Sequence, residues 1–161
     1  SVYGRTKLEG EQAIKKSGCL YIIIRTAWLY SGYGHNFVKT ISRLASERDE
    51  LNVVSDQWGT PTYAGDLAEA IISIMERDDL PELEGVYHFT NEGACTWYDF
   101  AKEIVAITGA NCKVNPVTTE EYPSKVKRPA YSILDKTKIK ETFDLEIRDW
   151  REALKSCMAT F

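Results

Sequence analysis

The sequence predicts an α/β fold: the rear part of a doubly wound, Rossmann-like sheet followed by a small α+β lobe, with the amino-terminal dinucleotide-binding half absent. Three observations predict it. Apolar, β-branched runs alternate with segments of helical periodicity, the rhythm of α/β proteins. YIII at 21–24, inside LYIIIRTAW, reads as a strand buried on both faces. Finally, no strand leads through a G-x-G-x-x-G turn into a helix, the unit with which a complete dinucleotide-binding fold begins. SGYGHNF offers G-x-G before a helix, but Phe37 stands where the third glycine belongs, and the loop lies in mid-chain.

Each element has a local reason. A helix over about 3–17 closes at Gly18, a residue suited to a C-cap. After the YIII strand, YSGYGH leads into a helix at about 36–48, and LNVVSD is a short strand before the loop DQWGTPTYAG. Asp66 stands near the start of LAEAIISIMER, whose apolar residues repeat at helical spacing. GVYHFTN is a strand, and Thr96 caps TWYDFAKEIVAITG, with Asp99 placed to favour the helix dipole. From about 113 the elements shorten to KVNPVTT, the loop YPSKVKRPAYSILD, and helices near 136–143 and 149–159. The chain is expected to form one truncated unit, with about 1–60 and 64–92 the rear of the sheet domain and about 93–161 mainly the lobe.

Composition narrows the function. The 161 residues are 43% hydrophobic and 27% charged, with a net charge of −4 that gives nucleic acid no basic face. At this length a globule buries roughly 70% of its unfolded surface and needs no staples. No apolar run approaches the ~20 residues of a membrane span. Cys19, Cys95, Cys112 and Cys157 form no C-x-x-C pair, and with His35 and His88 the only histidines, a metal centre is not expected. Reduced thiols and no signal peptide point to the cytoplasm. With no initiator Met, Ser1 is expected not to be a natural start.

Tyr3 and Lys7, four apart, share a helix face. A phenol is a poor proton-transfer group at neutral pH, with a free pKa of about 10, and a nearby ammonium favours its ionised form. Such a pair can deliver a proton to a carbonyl oxygen as hydride reaches the carbon. Taken alone, Y-x-x-x-K is a loose pattern that reads first as a surface tyrosine beside a solvated lysine.

The pair heads a series: YGRTKLEGE, RTAWLYSGYGHNF, VSDQWGTPTYAGDLA, GVYHFTNEGACTWYDFA and KRPAYSILD before DWREAL. In order and spacing the series resembles dTDP-4-dehydrorhamnose reductases of the extended short-chain dehydrogenase/reductase superfamily, from Tyr3 to about Leu154. The resemblance implies NADPH-dependent (or NADH-dependent) reduction of the C4 ketone of dTDP-4-dehydro-6-deoxy-L-mannose to dTDP-L-rhamnose. Tyr3 would be the proton donor, and Lys7 would lower its pKa and hold the nicotinamide ribose. The upstream Ser or Thr of this family and its glycine-rich half have no counterpart here, so the chain by itself is expected not to turn over.

Trp28 would line the sugar site, its indole covering an apolar sugar face, or would simply pack beside the strand end. Asn36 caps the next helix, contacts a diphosphate there, or both. Gln57, Pro61 and Thr62 belong to a rigid turn that the family places beside the substrate cleft; Gln57 is the substrate-contact candidate among them. Arg128 is the candidate phosphate clamp, its planar fork on a loop stiffened by Pro129, with Lys125 and Lys127 adding positive potential or merely solvated. Trp97, Tyr98 and Trp150 read as packing residues.

The partner implied is a thymidine-diphosphate sugar, with no nucleic acid and no membrane. A homodimer fits the open edge a truncated sheet would leave. Some members of the family use magnesium at a subunit contact, but no acidic cluster here can be assigned to it. Two alternatives stand: a non-catalytic regulatory subunit of the methionine adenosyltransferase type, or another sugar-nucleotide epimerase, dehydratase or reductase.

Overall fold

The computed structural model describes residues 1–122 and 128–160. In chain order the elements are α1 (Val2–Lys16), β1 (Ile22–Arg25), β2 (Leu29–Tyr30), α2 (Phe37–Glu47), β3 (Glu50–Val54), β4 (Trp58–Gly59) and β5 (Thr62–Tyr63). There follow α3 (Ala64–Met75), a 3-10 turn (Leu80–Leu83), β6 (Gly85–His88), β7 (Cys95–Thr96), α4 (Trp97–Thr108), β8 (Lys113–Val117), α5 (Thr137–Phe143) and α6 (Trp150–Met158).

The strands pair two by two. β1 with β6, β2 with β5, and β3 with β8 run parallel, while β4 and β7 run antiparallel. Parallel partners need a crossover, and helices supply it: α3 precedes β6, and α4 precedes β8. The chain is α/β, as the alternating pattern predicts. One expectation is corrected. Ile22, Ile23 and Ile24 of β1 are only half-buried and Arg25 is exposed, so β1 is not covered on both faces. Ile22 and Ile24 instead line an open apolar groove of about 530 Å³ against Ile71, Ile74 and Met75 of α3.

Two cores hold the molecule. The larger packs Val38 and Ile41 of α2, Leu51 and Val53 of β3, Phe100 and Ile104 of α4, and Trp150 and Leu154 of α6. The smaller joins Ala70 and Ile74 of α3 to Tyr87, Phe89, Ile139 and Phe143. Both therefore unite early and late stretches of the chain.

A polar network ties α3 to the approach to α6. The Arg148 guanidinium donates to both Asp66 oxygens, at 2.5 and 2.9 Å, and to Ser156 Oγ at 2.8 Å. Asn91, fully buried, donates to Asp66 at 2.6 Å and accepts the Tyr63 amide at 2.8 Å, so its burial leaves neither end of the amide orphaned.

Helix α4 begins with a complete capping box between Thr96 and Asp99 and ends at Gly109, whose φ of 67° is the left-handed conformation glycine tolerates. Helix α1 differs from the others, because none of its residues is buried. It is fastened to β1 by Arg25, whose Nε and Nη2 donate to the two Glu11 oxygens at 2.7 Å each. No helix among the described residues is long and apolar enough to cross a membrane.

Candidate functional site

Beyond β1 the backbone turns sharply at Trp28, which has φ of 50°, a left-handed conformation that costs a bulky residue strain unless its surroundings hold it. Its surroundings do hold it. The Trp97 ring stacks on the Trp28 ring with centroids 3.6 Å apart and planes at 15°. A Cβ built on Gly59 would fall 2.5 Å from Trp28 Cε2 and Cζ2. The stack leaves no room for that atom on the Trp97 side, so the Gly59 backbone backs the other face. Phe37 completes the cluster, its ring centroid 4.6 Å from that of Trp97.

Trp28 is half-buried and packs against the larger core, with Trp97 on one face and Gly59 near its Cε2 and Cζ2. Its indole N–H makes no hydrogen bond among the described residues. Trp97 is half-buried and packs against the larger core, as expected, and Trp28 rests on its ring. Trp150, by contrast, is 1% exposed and is a core residue as expected.

Arg128 arrives at the same cluster. It is exposed, and its guanidinium carbon lies 6.0 Å from the Trp97 ring centroid. Its loop is docked on β4: Trp58 N donates to Ala130 O at 2.8 Å, and Ser132 N donates to Trp58 O at 2.9 Å. Lys125 and Lys127 lie outside the described residues.

The two amide candidates are internally engaged. Asn36 Oδ1 caps α2 by accepting the Lys39 amide at 3.1 Å, and its Nδ2 donates to Ser31 O at 2.8 Å. Gln57 is 7% exposed and donates from Nε2 to Thr119 Oγ1 at 3.0 Å. Both hold loops in place. Pro61 and Thr62 are buried, with the Thr62 hydroxyl donating to Ala27 O at 2.6 Å, which fixes the residue preceding Trp28.

Tyr3 and Lys7 lie on α1, none of whose residues is buried. Tyr3 is 72% exposed, and the Lys7 ammonium lies 5.5 Å from its ring centroid, close enough for a cation–π contact. No hydrogen bond or ring contact joins either residue to Trp28, Trp97 or Arg128 among the described residues. The cysteines offer no competing nucleophile near the cluster: burial pushes the Cys95 thiol up to about 12 and Cys157 up to about 11. Among the described residues no group of three or more metal-ligating side chains is placed to hold an ion.

Parallel strand pairs with helical crossovers, and a cluster of loops beyond the carboxyl end of β1, define the class: an α/β protein whose candidate site lies at strand carboxyl ends. The comparisons then narrow it. A family profile described as the RmlD substrate binding domain matches residues 1–161, and the chain belongs to that family. A dTDP-4-dehydrorhamnose reductase from Aggregatibacter actinomycetemcomitans is 46% identical over 98% of this chain and 56% of its own length. A dTDP-4-dehydrorhamnose reductase from Bacillus anthracis, solved in complex with NADP, superposes with a TM-score of 0.93 at 40% identity, over 100% of this chain and 56% of its own. An ortholog from Clostridium acetobutylicum gives 0.90 at 48% identity, over 99% and 55%. The chain thus spans about half the length of the relatives it matches.

Proposed function

We propose that the protein carrying this chain reduces the C4 ketone of dTDP-4-dehydro-6-deoxy-L-mannose to dTDP-L-rhamnose, with NADPH as reductant, in cytoplasmic dTDP-rhamnose biosynthesis. The observation that carries this reading is the pairing of Tyr3 with Lys7 on one exposed helix face, in a chain that matches relatives of that activity's name along its whole length.

NADPH, when bound, supplies the hydride. The chain's own residues supply the rest. The Tyr3 phenol, free of hydrogen bonds among the described residues, is the proton donor to the C4 oxygen. Lys7, one turn on, provides the positive charge that stabilises the phenolate left behind, and its ammonium suits the hydroxyls of a nicotinamide ribose. Trp28 borders the sugar with its edge and indole N–H, held rigid by Trp97 and Gly59. Arg128 takes the diphosphate with its planar fork. Asn36 and Gln57 shape the cleft from within their loops rather than by touching the sugar nucleotide.

The test is product identification. The full-length protein, given NADPH and the 4-keto sugar nucleotide, is expected to oxidise NADPH and yield dTDP-L-rhamnose, identified by NMR from the configuration at C4. Epimerised product without loss of NADPH, or tight sugar-nucleotide binding without turnover, would contradict the proposal.

A further inference from the structure

We infer that Asp56, Gln57 and Trp58 are positioning residues for Arg128: this one stretch grips the chain on both sides of residues 123–127 and so sets where the guanidinium stands. The inference rests on the reading of Arg128 as the diphosphate ligand.

The upstream grip is on Thr119. Its amide donates to the Asp56 carboxylate at 3.1 and 3.0 Å, and its hydroxyl donates to Asp56 Oδ1 at 2.6 Å. The same hydroxyl accepts from Gln57 Nε2 at 3.0 Å. Thr119 therefore has its amide and hydroxyl protons and a hydroxyl lone pair held by two adjacent residues, one of them buried. The downstream grip is on residues 130–132. Trp58 N donates to Ala130 O at 2.8 Å, while Ser132 donates to Trp58 O from N at 2.9 Å and from Oγ at 3.0 Å.

The geometry that matters is what else β4 touches. Trp58 pairs with Tyr131 on one side and with Thr96 of β7 on the other. Thr96 is the residue before Trp97, and Tyr131 follows Arg128 by three. The strand that anchors the arginine's loop thus also anchors the residue before Trp97, over whose ring the guanidinium carbon stands at 6.0 Å. An arginine carries a large rotamer entropy, so a clamp that fixes its backbone lowers the cost of ordering it on a ligand.

The experiment measures binding of dTDP and of thymidine to the full chain by calorimetry, in wild type, Thr119→Val, Arg128→Ala and the double variant. Thr119→Val keeps the side chain's shape and removes the hydroxyl that Asp56 and Gln57 share. Arg128→Ala is expected to weaken dTDP at least about tenfold and to leave thymidine unchanged, as loss of charge-assisted bonds to phosphate requires. Thr119→Val is expected to weaken dTDP about three- to tenfold, again sparing thymidine, and to cost nothing further once Arg128 is alanine. Asp56→Asn, a second variant that retains an acceptor for the Thr119 amide, is expected to fall between wild type and Thr119→Val.

If Arg128→Ala leaves dTDP affinity intact, the reading of Arg128 fails and the inference falls with it. If Arg128→Ala weakens dTDP but Thr119→Val and Asp56→Asn do not, or if their cost persists in the Arg128→Ala background, the clamp alone is overturned.

Discussion

Replacing Gly59 by alanine tests whether the Trp28 indole is held on both faces. The added Cβ would lie 2.5 Å from Trp28 Cε2 and Cζ2 and 2.9 Å from Nε1. Carbon atoms in favourable contact sit about 3.5–4.0 Å apart, so one partner must move by about 1 Å. Trp28 cannot retreat freely, because Trp97 stacks on it at 3.6 Å and is itself backed by Phe37 at 4.6 Å. Overpacking of this kind costs about 1–3 kcal/mol. Gly59 is not among the glycines of positive φ, so alanine can adopt its backbone and gains about 0.4–1 kcal/mol by restricting the unfolded chain. The steric cost is the larger, and the net expectation is destabilisation of about 1–2 kcal/mol. Urea unfolding gives the magnitude, and near-ultraviolet circular dichroism reports the tryptophan pair. A Gly59→Ala variant as stable as wild type, with an unchanged tryptophan signal, would refute the sandwich.

Two further perturbations address the joints of the fold. Asp66→Ala removes the carboxylate shared by the Arg148 guanidinium and the Asn91 amide and should cost about 3 kcal/mol in urea unfolding, the low end for a broken buried pair. The low end applies because the Arg148 side chain is 37% exposed and partly screened, while Asp66 is 10% exposed. The docking of α1 should depend on pH: the Arg25 guanidinium hydrogen-bonded to Glu11 holds its carboxyl below the usual carboxylate range. That contribution is fully present above the unfolded glutamate value of about 4.3 and is lost as pH falls through the lower folded value. Amide exchange in α1 should therefore show protection that is level from neutrality to about pH 5 and declines below it. Glu11→Gln should abolish that acid dependence, and an unchanged profile would contradict the assignment.

Much of the fold was legible because its signals are local. The period of LAEAIISIMER and the Thr96–Asp99 cap each announce their helix without any knowledge of the rest, and Trp150 packs as its place in the last helix predicts. The two-residue strands β2, β4, β5 and β7 were not legible, since partners distant in sequence create them. Nor was the exposure of β1, which depends on what covers Ile22 and Ile24 rather than on the residues themselves.

The site divides in the same way. Tyr3 and Lys7 become candidates by their spacing together with the resemblance, and Trp28 and Arg128 by the words RTAW and KRPAYS that carry the resemblance. The roles of Gly59, Trp97 and Thr119 follow only from the turn at Trp28 and the docking of residues 128–132 on β4. Asn36 and Gln57 show the limit most plainly: an amide reads the same in sequence whether it serves a ligand or its own loop, and their loop hydrogen bonds are visible only in the structure.

The most direct test of the proposed chemistry is Tyr3→Phe in the full-length protein, followed as NADPH oxidation with the 4-keto sugar nucleotide. Loss of the phenol is expected to lower kcat about 10²–10⁴-fold, the value of a positioned proton donor. A variant that turns over within a few-fold of wild type would contradict the assignment of Tyr3 as the proton donor.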